Sequence, residues 1–97
     1  MPEEFSLGQN YPNPFNPSSV ISYTLPEQSR IRVEVFGLAG ERVALLAEGQ
    51  EEPGDHRISV DAGRLNLASG AYWYRLTGTG LETGRTFLAA RKFLFLK

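Results

Sequence analysis

Short runs in which apolar and polar residues alternate recur along this chain, and each reads as a strand with one face turned to a core. Ile21, Tyr23 and Leu25 alternate with Val20, Ser22 and Thr24, and Ile31, Val33 and Val35 alternate with Arg30, Arg32 and Glu34. His56, Ile58 and Val60 share one face, with Arg57, Ser59 and Asp61 on the other. Tyr72, Tyr74 and Leu76 alternate with Trp73, Arg75 and Thr77. Ten glycines and six prolines interrupt the chain so often that no helical stripe of three turns survives. Gly40–Glu48 holds the helix formers Ala44, Leu45, Leu46 and Ala47, yet it spans only about two turns and lacks an N-cap, so it reads as a strand. With a short first strand at Phe5–Leu7 and a last run from Phe87 to Leu96, the pattern predicts an all-β, immunoglobulin-like β-sandwich of about seven antiparallel strands.

The connections carry their own signals. Gly37-Leu38-Ala39-Gly40 offers the positive φ that a tight hairpin needs. Asn10-Tyr11-Pro12-Asn13-Pro14-Phe15-Asn16-Pro17 removes three backbone donors and cannot be a central strand. Its asparagines can close Asx-turns, and Tyr11 and Phe15 are free to pack. The favoured reading is a stiff connection pinned to the sandwich by those two rings; the other is a proline-rich ligand for a groove-binding partner.

Ninety-seven residues make one domain, with residues 1–4 read as a linker or expression remnant and 5–97 as the folded unit. The net charge is −1 and the pI about 5.8, which gives no overall field to attract nucleic acid. The charges are unevenly placed: after Glu82 come Arg85, Arg91, Lys92 and Lys97 with no acid among them. The absence of cysteine excludes a disulfide framework, a thiolate zinc site and a cysteine nucleophile. Met1-Pro2-Glu3-Glu4 is acidic and does not open a signal peptide, and the apolar run Phe93–Leu96 is far too short to span a bilayer.

Catalytic chemistry finds few carriers. His56 is the single histidine, and alternation turns both Asp55 and Asp61 away from it. Glu48, Glu51 and Glu52, among Gly49, Gln50 and Pro53, read as a solvated loop rather than a calcium site. Gly78-Thr79-Gly80 and Gly84 read as a hairpin with no following helix to hold a phosphate. The expectation is a non-enzymatic domain without cofactor or metal.

Two features remain. Alternation sends Trp73 to the face opposite Tyr72 and Tyr74, where it is either covered, the favoured reading for so large a ring, or exposed to stack on a sugar. Arg91-Lys92-Phe93-Leu94-Phe95-Leu96-Lys97 places apolar bulk on both faces of a final strand, so either both faces are covered or one is offered to a partner. Arg91, Lys92 and Lys97 stand where charges guard a strand against aggregation.

The octapeptide Asn10–Pro17 followed by Ile21–Pro26, together with Val33–Phe36, Gly40–Val43, Leu67–Tyr72 and the closing Arg91–Lys97, resembles the C-terminal sorting domains of type IX (Por) secretion cargo. The likeness runs from Phe5 to Lys97. It implies an immunoglobulin-type sandwich at the end of a longer exported precursor, which crosses the periplasm, is recognised by the outer-membrane translocon and reaches the cell surface. It also implies removal by a sortase-like peptidase near or before Phe5. The residues it points to for recognition are Gly70, Tyr72, Arg91, Lys92, Phe93, Leu94, Phe95, Leu96 and Lys97. Gly37, where many relatives carry Asp or Asn, the bulky Trp73 and a long Thr77–Thr86 hairpin depart from the pattern. The other expectations are a carbohydrate-binding or cell-attachment module using Trp73, and a structural cap like that of flagellar hook-assembly scaffolds. A monomer or weak dimer is expected in each case.

Overall fold

The computed structural model describes residues 4–14 and 17–96. Seven strands appear in chain order: β1 (Ser6–Leu7), β2 (Ser18–Leu25), β3 (Ser29–Phe36), β4 (Arg42–Glu51), β5 (Gly54–Asp61), β6 (Gly70–Gly80) and β7 (Thr86–Phe95). A single helical turn, α1 (Ala62–Leu65), lies between β5 and β6. The strands form a three-stranded sheet, β1-β2-β5, and a four-stranded sheet, β4-β3-β6-β7, with every pair antiparallel. This is the all-β immunoglobulin-like sandwich that the alternation predicts.

One core lies between the sheets. Ile21, Tyr23, Leu25 and Val60 come from the smaller sheet, and Ile31, Val33, Val35, Tyr74, Leu76, Phe93 and Phe95 from the larger. These are the inward positions of period-two runs, and each side chain so buried contributes about 1.5–3 kcal/mol relative to exposure. Gly40–Glu48 contains no helix; most of it belongs to β4, because pairing with β3 overrides the helix preference of Ala44–Ala47. The alternation of β4 breaks at two irregularities, opposite Val33/Glu34 and Val35/Phe36, where Leu46 and Val43 are the extra residues. Both lie on an edge strand, where such kinks discourage pairing with another chain.

Several expectations need correction. Tyr11 is 81% exposed and anchors nothing: its backbone pairs with Val20 of β2 through two hydrogen bonds of 2.9 Å, and Val20 is an outward position, so the Tyr11 ring faces solvent as well. Phe15 lies outside the described residues. The buried anchor is Asn10, whose amide donates to Pro12 O at 3.0 Å and Ser19 Oγ at 2.9 Å. Glu48 and Glu51 belong to β4 rather than to a loop, and they are engaged: Glu48 with Arg32, Glu51 by accepting from the Tyr23 hydroxyl. Gly78–Gly80 continue β6, so the turn itself covers only residues 81–85. The helical turn α1 was not foreseen; Asp61 Oδ1 accepts from Gly63 N and Arg64 N, and Asn66 closes it in the left-handed region at φ 58°.

Glu27, buried between β2 and β3, ties down the β6–β7 turn. Its carboxylate accepts from Glu82 N and Thr83 N at 2.9 Å, from Thr83 Oγ1 at 2.7 Å and from Arg85 Nη2 at 3.3 Å. Gly80 leaves the room, since a side chain there would collide with that carboxylate.

Candidate recognition surface

The residues singled out in the sequence come from two distant segments, and the β6–β7 register brings them side by side. Gly70 pairs with Phe95, Ala71 with Leu94, Tyr72 with Phe93 and Trp73 with Lys92. The final strand is therefore covered on one face only. Phe93 and Phe95 are core residues, 2% and 3% exposed, whereas Leu94 and Leu96 are 41% and 52% exposed. The reading in which both faces are covered does not hold, because nothing in the described chain packs across the outer face of the four-stranded sheet at this end. Trp73 shares that face and is 41% exposed, so the favoured expectation of a covered indole is also overturned. Lys97 lies outside the described residues.

The inner layer is structural. Tyr72 stacks on Phe93 at 5.5 Å between ring centroids, and its hydroxyl donates to Ala68 O at 2.7 Å. A tyrosine at the start of the sixth strand bonding back to the preceding corner is the tyrosine corner of immunoglobulin-like sandwiches. Gly70 begins β6 at φ +155°, a backbone state that a residue with a Cβ rarely adopts. Tyr74 donates to Gly8 O at 2.6 Å, and burial pushes its hydroxyl up to about 12. Gly70 and Tyr72 thus have work in the fold whatever else reads them.

The free edge of β7 is covered by the chain that precedes β2. Gln9 Nε2 donates to Lys92 O at 2.9 Å, and Asn13 Oδ1 accepts from Leu94 N at 3.0 Å. Arg91 turns its guanidinium along the same seam and donates from Nε to Leu7 O at 3.1 Å. These contacts satisfy backbone groups that an edge strand would otherwise present for pairing. Sequence reasoning missed Gln9 and Asn13 in this role, since their partners lie about eighty residues away; the clue at hand was the asparagine repetition between prolines.

Reactive chemistry does not assemble around His56. Its Nε2 lies 2.7 Å from Glu52 O, its Nδ1 stands 3.6 Å from Glu51 Oε1, and its ring stacks on Tyr23. Burial first, and then the Glu51 carboxylate, push the Tyr23 hydroxyl above its ordinary range, so it serves Glu51 as a donor. Among the described residues, no three His, Cys, Asp or Glu side chains come together as a metal site, and no helix is long and apolar enough to cross a membrane. No protein-family model matches the chain, and none of the curated proteins matches its sequence.

Proposed function

We propose that the domain is a folded C-terminal sorting signal of the type IX class, carried behind an upstream cargo in the same precursor. The translocon at the outer membrane reads it after transit through the periplasm, and a sortase-like peptidase then separates it from cargo delivered to the cell surface. The observation that carries this reading is the outward presentation of Trp73, Lys92, Leu94 and Leu96 at one end of β6–β7. Exposed apolar side chains grouped beside a cation suit a protein partner, because their burial on docking is favourable while the cation sets orientation. Gly70, Tyr72, Phe93 and Phe95 act beneath this surface by fixing its shape, and Arg91 by holding the seam to Leu7.

The burial pattern also selects the experiment. Removing residues 91–97 would take Phe93 and Phe95 out of the core, so a failure of export could reflect unfolding. The double variant Leu94→Asp/Leu96→Asp changes exposed positions only. In a host with type IX secretion, a reporter with an export signal and the parent domain reaches the cell surface, and the double variant accumulates in the periplasm with an unchanged melting temperature. Equal surface display of a folded double variant would reject the proposal.

A further inference from the structure

The outer face of the four-stranded sheet is basic on a chain whose net charge is −1. Alternation and register place Arg30, Arg32, Arg42, Arg75 and Lys92 on it, against the carboxylates Glu34 and Glu48, a net of +3. The opposite sheet turns Asp55, Arg57 and Asp61 outward, so the two faces of the sandwich differ in sign.

The basic face is also ordered into cross-strand rows. Gln50, Arg30, Thr79 and Thr86 form one, and Glu48, Arg32, Thr77 and Leu88 the next. Between these rows runs an open groove of about 670 Å³, walled by Arg30, Arg32 and its partner Glu48, Thr77, Thr79, Thr86 and Leu88. Ile31 and Phe87 turn their side chains toward the core, and Gly49 and Gly78 have none, so the floor is backbone. Arg32 already holds a carboxylate: its Nε and Nη2 both lie 2.7 Å from Glu48 Oε2. Arg30, one row along, has no carboxylate partner among the described residues.

We propose that this groove binds a uronate-bearing polysaccharide, with Arg30 pairing a sugar carboxylate and the threonine hydroxyls meeting ring hydroxyls. A guanidinium pairs a carboxylate through charge-assisted hydrogen bonds, as Arg32 does with Glu48 on the same face. A backbone floor between walls that carry threonine hydroxyls suits a chain of hydroxylated rings. Single-stranded nucleic acid would want successive aromatic platforms, and these two rows present none outward. An acidic peptide would want pockets for alternate side chains, where the floor offers flat backbone.

The test titrates the whole chain at low salt against polygalacturonate, neutral dextran, poly(dT) and polyglutamate. Polygalacturonate should bind, weaken as salt is raised, and bind Arg30→Ala about tenfold less tightly, as for loss of one charge-assisted contact. Thr79→Val, a second exposed and fold-neutral change, should weaken it severalfold, whereas Arg57→Ala on the opposite sheet should leave it unchanged. Any of four results overturns the proposal: no binding of polygalacturonate, equal binding of dextran, binding of poly(dT) or polyglutamate at least as tight, or equal losses in Arg57→Ala and Arg30→Ala.

Discussion

Tyr72 donates its hydroxyl to the Ala68 carbonyl at 2.7 Å and so closes the corner through which the chain leaves β5 and α1 for β6. The ring beneath that bond stacks on Phe93. Tyr72→Phe keeps the ring and removes only the hydrogen bond, so urea unfolding should show a loss of about 0.5–1.5 kcal/mol. An unchanged midpoint would mean that the corner contributes nothing to stability. Surface delivery of a reporter should survive the same substitution, because the hydroxyl points back to the corner rather than outward.

The final strand should split into two stability classes by face. Phe93→Ala empties a core position 2% exposed and should cost about 3–5 kcal/mol. Leu94→Ser, one residue along and facing out, should stay within about 0.5 kcal/mol of the parent. Similar losses at both positions in chemical denaturation would contradict the one-sided burial described above.

Glu27 makes the fold acid-sensitive. Hydrogen bonds from the Thr83 hydroxyl and amide, then from Glu82 N and Arg85, hold its carboxyl at about 2, below its ordinary 4.5. A carboxyl depressed by folding contributes stability that is fully present above about pH 4.5 and lost as pH falls toward about 2, because the unfolded chain binds the proton first. Glu34 acts in the same sense: burial would raise it, but Arg75 and Arg42 hold it below its usual value. Glu27→Gln should therefore make the decline of urea midpoint with acid shallower without abolishing it. A decline as steep as the parent's would remove Glu27 from the account.

Asn13 supplies the acceptor for the Leu94 amide on the free edge of β7. Asn13→Ala should speed hydrogen exchange at Leu94 while leaving amides of central β3 protected, since the change exposes one edge group and no core. Unaltered exchange at Leu94 would show that the edge is guarded by something other than this side chain.

Where one strand face meets the core and the other meets water, the alternation of side chains was enough to read the fold. Ile31–Val35 and Tyr72–Leu76 illustrate this, since a one-residue slip would turn every one of their core residues outward. Extra residues defeat that logic, and Leu46 and Val43 in β4 could not be located from period alone. Glu27 stood in the sequence as the last of three acids before Arg30, with its partners more than fifty residues away. Trp73 was misjudged because large rings are usually covered by something across from them, and the outer face of this sheet has no such layer at Trp73. For the candidate surface, the sequence offered the residues but not their division into Phe93 and Phe95 within and Leu94 and Leu96 without. That division depends on which side of β7 faces the smaller sheet.

The most direct test of the sorting role compares reporters carrying the parent domain, Leu94→Asp/Leu96→Asp and Tyr72→Phe in a host with type IX secretion. The quantity measured is the surface fraction of the reporter by protease accessibility, alongside the melting temperature of each purified domain. A sorting role predicts surface delivery for the parent and Tyr72→Phe, and periplasmic retention of a fully folded double variant. Surface delivery of that double variant at the parent's level would contradict it.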